Sequence, residues 1–316
     1  MTKQVNYAQR FKTLQQMQVQ PLEQKIDDAR LMLEHVLKEH EKPAIAWSGG
    51  KDSTVLLHMA LELKPNIDVV WVNTGVEFPE CVHFVSELKN IWNINLHIAH
   101  PKTTFWKVVD EYGWPMLGKG GRGWQSRAAY LERKGSIRLA KATREAKIGA
   151  ACCVVLKKNP AAVIYRELKI DCLILGNMVS ESRQRFFTWA QRSNYYYASS
   201  EKRYKVWPLA FWNDNDIWEY HQQFHVDHSA IYDKGHRRNG CWPCLMDIRF
   251  SDSKFSILRQ SHPKLWRFLL VEKGLAERIL TLKLVLKDKE VPNKRDLLRR
   301  QAACLIERQP CFFDSC

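Results

Sequence analysis

The chain has no apolar run long enough to cross a bilayer. Its first residues, Met1–Gln20, are polar and carry no apolar core of a secretory signal. Both absences argue against a membrane protein and make the cytoplasm the expected location. Acidic charge is also scarce, with 34 Asp+Glu against 49 Lys+Arg, a net +15. A field of that sign attracts polyanions, either nucleic acid or phosphate-rich small molecules, although a generically basic enzyme has the same balance. Internal repeats, low-complexity tracts and a clear flexible linker are missing too. The 316 residues therefore suit one large α/β domain with appendages or two domains sharing an interface. Nine cysteines are present; in a cytoplasmic chain they are not read as disulfides, and metal or redox use is expected instead.

Hydrophobic spacing organises the chain. Ile26, Ala29, Leu31, Met32, Val36 and Leu37 recur at helical period between Lys25 and Glu39. Ala44-Ile45-Ala46-Trp47 reads as a short buried strand entering a glycine turn, followed by helical period over residues 52–63. Asp68–Val72 is a second strand, Pro79–Ile91 a helix, Asn95–Ala99 a third strand and Ile170–Leu175 a fourth. Such alternation predicts an α/β fold, a Rossmann-like parallel sheet flanked by helices. Three regions are expected: a helical arm over 1–40, a nucleotide-binding α/β domain over 41–205, and a mostly helical region over 206–316. Between the third and fourth strands lies a glycine-rich basic loop, Gly118–Gly123. The helix-like stretch after it carries Arg127, Arg133, Lys134, Arg138, Lys141, Arg144 and Lys147, opposed by only Glu132 and Glu145.

Ser48-Gly49-Gly50-Lys51-Asp52-Ser53 sits between a predicted strand and a predicted helix. Two glycines let the backbone turn tightly and aim N–H groups at an anion, and the helix adds its positive dipole end. Lys51 is read as a mobile cation, and Ser48 and Ser53 as hydroxyl donors. The spacing fits neither the nucleoside-triphosphatase P-loop nor the dinucleotide fingerprint, and the competing reading is an ordinary glycine turn. A second constellation is Cys152-Cys153 with Cys241-Trp242-Pro243-Cys244. Four thiolates suit zinc or an iron–sulfur cluster; a redox Cys-x-x-Cys and four buried structural cysteines are the alternatives. Cys81 and Cys172 read as core residues.

The loop resembles the PP-loop of the ATP-pyrophosphatase and phosphoadenosine-phosphosulfate (PAPS) reductase superfamily. Asn73-Thr74-Gly75-Val76-Glu77-Phe78-Pro79-Glu80 resembles that branch's Asp-Thr-Gly-x-x-Phe-Pro-Glu segment. Gly176-Asn177-Met178-Val179-Ser180-Glu181-Ser182-Arg183-Gln184-Arg185 resembles its Gly-x-Arg-x-x-Glu/Gln-Ser-x-x-Arg element, with Met178 where arginine is usual. Tyr204–Leu209 followed by Asp216-Ile217-Trp218 resembles its Pro-Leu…Asp-Ile/Val-Trp stretch. The resemblance spans about residues 40–250 and implies an adenine nucleotide alpha hydrolase-like fold. It implies ATP and Mg²⁺ as cofactors, with Ser48, Gly49, Gly50, Lys51, Asp52, Ser53, Thr74, Gly75, Glu77 and Gly176 at the nucleotide. Ser48, Lys51, Asp52, Ser53 and Arg185 would take catalytic roles. The Cys-Cys…Gly-Cys-x-Pro-Cys arrangement is similar to adenylylsulfate reductases that carry a [4Fe–4S] cluster. It implies Cys152, Cys153, Cys241 and Cys244 as ligands, with Lys157 beside them.

Two activities share these parts. A reductase releasing sulfite from an adenylyl sulfate needs a tail thiol in a Glu-Cys-Gly-x-His element. Here the tail reads Gln309-Pro310-Cys311-Phe312-Phe313-Asp314-Ser315-Cys316, without histidine or glycine beside a thiol. The Glu181-Ser182 form looks more like the PP-loop proteins of bacterial DNA phosphorothioation (the DndC and SspD type). That resemblance implies an ATP pyrophosphatase that adenylylates a nucleic-acid phosphate for sulfur incorporation. Its implied partners are DNA, a cysteine desulfurase and further modification subunits; assembly as a homo-oligomer stays open. The basic 118–147 segment suits such a substrate. A non-catalytic iron–sulfur module is the third class, against which the intact loop, Asp52 and Glu77 argue.

Overall fold

A computed structural model describes residues 5–116, 121–246 and 254–286. In chain order its helices and strands are α1 (Tyr7–Gln18), α2 (Leu22–Glu39), β1 (Pro43–Ala46), α3 (Lys51–Leu63), β2 (Asp68–Val72), α4 (Pro79–Ile91) and β3 (Leu96–Ala99). There follow α5 (Phe105–Tyr112), β4 (Trp114–Pro115), α6 (Trp124–Arg133), α7 (Ile137–Glu145), β5 (Ile148–Gly149) and α8 (Asn159–Glu167). The remainder are β6 (Cys172–Leu175), α9 (Arg183–Arg192), β7 (Tyr195–Ala198), β8 (Arg203–Val206), α10 (Asp214–Gln223), α11 (Lys254–Ser261), α12 (Pro263–Arg267) and α13 (Leu275–Leu286). No described helix is long and apolar enough to cross a membrane.

The chain divides into two compact units, each assembled from separated segments: 1–73 with 78–99 and 160–233, and 74–77 with 100–159 and 234–316. These units cut across the linear division at residues 40 and 205.

The first unit holds a six-stranded sheet in the order β3-β2-β1-β6-β8-β7. All neighbours are parallel except the edge pair β7–β8. This is the Rossmann-like α/β class that the alternation predicts. Central parallel strands are covered on both faces, which is why β1 and β2 read as continuous apolar runs. Ile45, Val69 and Ile174 bury against Leu56, Leu57 and Met59 of α3, Phe84 and Leu88 of α4, and Ile217 and Tyr220 of α10. Helix ends follow local chemistry. Pro79 opens α4 at a position where a missing N–H costs nothing. Asn213 and Asp216 form a reciprocal capping box that starts α10. The β7–β8 hairpin is an element the sequence reading lacks. β8 is only four residues, Arg203-Tyr204-Lys205-Val206, and buries Arg203 rather than Tyr204; its register comes from pairing with β6, Cys172 opposite Tyr204.

In the second unit, β4 and β5 pair over two residues in parallel, and α13 packs on α7. The single helix-like basic stretch is two helices, α6 and α7. Gly135, at φ 72°, breaks them apart. Residues 117–120, which include the start of the basic glycine loop, lie outside the described residues, as do Cys304, Cys311 and Cys316.

Candidate functional site

In the first unit β1 delivers the chain into the glycine turn. Trp47 stays in sheet register, its N–H donating to Val70 O at 3.0 Å, while its indole N–H donates to Thr54 Oγ1 at 3.1 Å. The two loop serines face each other, Oγ to Oγ at 2.9 Å. The Gly50 N–H donates to Ser48 Oγ at 3.2 Å, and Ser53 Oγ donates to Gly50 O at 3.0 Å. Here Ser48 and Ser53 brace the turn rather than reach outward as the expected hydroxyl donors. Gly49 has φ +68°, and a Cβ there would stand 2.7 Å from Val85 Cγ2. Gly176, at the end of β6, passes so close to the start of α3 that a Cβ would lie 2.9 Å from Ser53 Cα. Two glycines far apart in sequence thus set the same turn, one by conformation and one by clearance.

Lys51 departs from the expectation of a mobile cation. Its side chain is 3% exposed and held between Asp52 Oδ1 at 2.6 Å and Asp214 Oδ1 at 2.5 Å. The ammonium also lies 5.8 Å from the Trp218 ring centroid. A charge so deeply buried is costly without close counter-charges, and two carboxylates are supplied. Its N–H donates to the Tyr232 hydroxyl at 2.9 Å, so it is not open to a phosphate in this arrangement. Among the described residues, the N–H groups of Gly49, Asp52 and Ser53 make no hydrogen bond. They are the donors that the turn and the first turn of α3 offer to an anion. Asp52 accepts from Lys51 through Oδ1 only, which leaves Oδ2 for a cation such as Mg²⁺.

Two histidines, the buried His221 and the half-buried His58, brace this region. His221 places Nδ1 2.8 Å from Val226 O and Nε2 3.2 Å from Lys51 O. His58 Nδ1 lies 3.0 Å from the Tyr220 hydroxyl. Burial pulls both below the ordinary imidazole range. Unfolded, they bind protons from about pH 6.5 downward, while in the fold they stay neutral to lower pH. Stability is therefore full above that value and falls as the pH drops through the window down to the folded pKa values. A urea midpoint that decreases between about pH 7 and pH 5, less steeply in His221→Gln and His58→Gln, is the expected result. A midpoint flat across that range in the wild type refutes it.

Arg185, expected to meet an anionic substrate, pairs one turn back with Glu181, whose Oε1 also accepts the Met178 N–H at 3.1 Å. Met178, standing at the usual arginine position, is 2% exposed and part of the core.

The second unit gathers the cysteines. Cys152, Cys153, Cys241 and Cys244 line one cavity, closed by Phe105, Leu156 and Lys157. Cys241-Trp242-Pro243-Cys244 turns tightly, the Cys244 N–H donating to Cys241 O at 3.2 Å. Trp242 packs at 5.9 Å from Trp106 and 6.2 Å from Phe268, an aromatic wall beside the thiols. Thr74 and Glu77, expected at the nucleotide, join this cluster. Thr74 Oγ1 donates to Glu77 Oε1 at 2.8 Å and lies 3.5 Å from Cys241 Sγ. Lys157 Nζ is 3.3 Å from Glu77 Oε1. Gly75 takes φ +76° in the same segment. Burial pushes the Cys241 thiol up to about 11, with Glu77 and Cys244 adding and Lys157 opposing. Cys152 is pushed up by its hydrogen bond with Cys153, by burial, and by the other three thiols. Four mutually opposed thiols around one cavity are a donor set that a bound cation would relieve.

No three His, Cys, Asp or Glu among the described residues converge on a single metal-ion position. A closed zinc site needs four sulfurs about 2.3 Å from one ion. A cluster instead takes each thiolate on a separate iron. Cys81 and Cys172 are core residues, as predicted. The partners of Lys51, namely Asp214, Trp218, His221 and Tyr232, escape sequence reading because they lie 163–181 positions away. Only the Asp216-Ile217-Trp218 match hints at them.

A model of the phosphoadenosine phosphosulfate reductase domain matches residues 42–246. A phosphoadenosine 5'-phosphosulfate reductase of Xylella fastidiosa is 24% identical over 220 residues, covering 68% of this chain and 79% of that protein. An uncharacterized protein of Methanocaldococcus jannaschii is 24% identical over 222 residues, covering 70% of this chain but only 45% of the relative's length. The crystal structure of a PAPS reductase from Candida auris, a phosphate complex, matches at TM-score 0.48 and 17% identity, over 68% of this chain and 88% of that one.

Proposed function

Because this chain belongs to the phosphoadenosine phosphosulfate reductase domain family, we propose that it binds ATP at the start of α3 and uses it to adenylylate a nucleic-acid phosphate for sulfur incorporation. The nucleotide half rests on one observation, the open N–H groups of Gly49, Asp52 and Ser53 at a helix N-terminus. They hold the β- and γ-phosphates and stabilise charge on the departing pyrophosphate. A non-bridging oxygen of the nucleic-acid phosphate attacks the α-phosphorus, and pyrophosphate leaves. A persulfide from a partner cysteine desulfurase then displaces AMP, and a thiol reductant cleaves the S–S bond to leave the phosphorothioate. Asp52 would hold the nucleotide's Mg²⁺, while Lys51 stays between Asp52 and Asp214 and keeps the loop in shape.

The polyanion half rests on α6 and α7. Arg133 and Lys141 on these helices, and Arg122, Lys134 and Lys147 flanking them, are exposed. Glu132 is taken up by Arg144 at 2.6 Å, which leaves little acid to offset them. Phosphate neutralisation by such a face dominates nucleic-acid affinity. The four cysteines fit a [4Fe–4S] cluster by donor type and by their shared cavity. When bound, such a cluster supplies a structural anchor or a sulfur-binding iron. Trp106, Trp242 and Phe268 keep its surroundings dry, and Lys157 with Glu77 sets the local charge. A sulfite-releasing reductase is the second reading, favoured by the Xylella relative.

Incubating the purified protein with ATP and Mg²⁺, with and without DNA, separates the two. AMP and pyrophosphate formed in the presence of DNA are expected. Thioredoxin-dependent sulfite release from an adenylyl sulfate, with ATP left intact, would establish the reductase instead.

A further inference from the structure

Except for β7, the strands of the first unit's sheet run parallel, so their entry ends lie opposite the glycine turn. A groove of about 470 Å³ opens there, between the last turn of α8, the entry to β6 and the β7–β8 turn. Its cations are Arg166, Lys169, Lys202 and Arg203. Arg203 is 7% exposed. Its Nε donates to Glu201 O at 3.1 Å and its Nη1 to Ile170 O at 3.4 Å, with the guanidinium 5.0 Å from the Tyr165 ring centroid. Arg166 Nε donates to Ala162 O at 3.1 Å. Among the described residues, no carboxylate pairs with any of the four.

Two carboxylates line the groove, and both are engaged elsewhere. Asp171 accepts the N–H groups of Glu41 and Lys42 at 3.1 and 3.2 Å and lies 3.6 Å from His40. Glu201 pairs with Lys205. Lys169 and Lys202 sit at φ +56° and +53°, a conformation disfavoured for an L-residue. Both are exposed on the rim. A nearly buried guanidinium satisfied only by carbonyls and a ring face lacks a counter-charge, and that is costly to desolvate. Its planar fork matches an oxyanion.

We propose that this groove is a second anion site, distinct from the glycine turn, which binds a phosphate group through Arg203 with Lys169, Lys202 and Arg166 around it. The site does not depend on which reaction the chain performs. The phosphate could belong to a free phosphate compound or to a nucleic-acid backbone, since both present the same oxygens.

The test uses the full chain labelled with ¹⁵N-arginine, following the Arg203 Nε–H resonance during titration with inorganic phosphate. A saturable shift is expected in the wild type and unchanged in Gly49→Ala, which alters only the turn. The Lys169→Gln/Lys202→Gln double variant, changed at two exposed positions, is expected to bind at least about tenfold more weakly, about 1.4 kcal/mol. A resonance that phosphate does not move overturns the proposal, as does a double variant that titrates like the wild type. Loss of the shift in Gly49→Ala would also overturn it, because the groove would then not be separate. Repeating the titration with a short DNA duplex at equal phosphate concentration identifies the source. Tighter, salt-sensitive binding of the duplex assigns a backbone phosphate, and equal or weaker binding a free one; either upholds the site.

Discussion

Alanine in place of Cys241 is expected to abolish binding of the proposed iron–sulfur cluster. Purified without oxygen, the wild type should carry about four irons per chain, and Cys241→Ala fewer than about one. Cys241 shares its cavity with Cys152, Cys153 and Cys244, and its thiol also meets Thr74 and Glu77. Its loss removes a quarter of the donors and leaves a gap beside Glu77, a carboxylate that then faces the remaining thiols. Metal analysis decides the identity as well. Stoichiometric zinc in the wild type would overturn the cluster assignment, and iron retained in the variant would remove Cys241 from the ligand set. Cys172→Ala provides the contrast: that thiol is fully buried within β6, and its loss should cost stability while leaving metal content unchanged.

The second large effect is at the glycine turn. Gly49→Ala should weaken ATP binding by at least about 100-fold, about 2.7 kcal/mol. Two physical terms act together. An L-residue at φ +68° is disfavoured by about 1–2 kcal/mol, and the new Cβ would meet Val85 Cγ2 at 2.7 Å. Val85 is itself 2% exposed and packed in α4, so the turn must move. That motion re-aims the open amides of Gly49, Asp52 and Ser53. The fold should persist, with an unfolding midpoint only a few degrees lower, because overpacking typically costs about 1–3 kcal/mol. Calorimetric titration with ATP alongside thermal unfolding measures both. Affinity within threefold of the wild type would show that the turn does not hold the phosphates. Val85→Ala in the Gly49→Ala background should recover part of the affinity, since it removes the clash but not the strain.

Much of the nucleotide unit is legible along the chain. β2 and α4 begin and end where their apolar spacing and Pro79 place them, and α3 follows the glycine turn as dipole and pattern require. Their contacts are local, and period alone reports them. β7 and β8 are less visible, because each is only four residues long and β8 buries Arg203 while leaving Tyr204 exposed, so pairing with β6 rather than apolar pattern defines it. The break between α6 and α7 hangs on Gly135, a single residue in a charge-rich stretch that otherwise keeps helical period.

The lesson for the site is similar. Residue type and spacing by themselves determined that a tight glycine turn stands between strand and helix, that four cysteines come as two pairs, and that basic residues cluster between the third and fourth sheet strands of the chain's reading. Those properties depend on neighbours within a few positions, so the sequence carries them. Tertiary structure decided the rest. It sealed Lys51 between Asp52 and Asp214, set Ser48 and Ser53 to bracing each other, placed Thr74 and Glu77 against Cys241, and left Arg203 buried without a carboxylate. The physical reason is the same in each case: whether a charge is open or satisfied depends on groups brought together by folding. For Lys51 and Asp214 that separation is 163 residues, a distance over which no local pattern carries information.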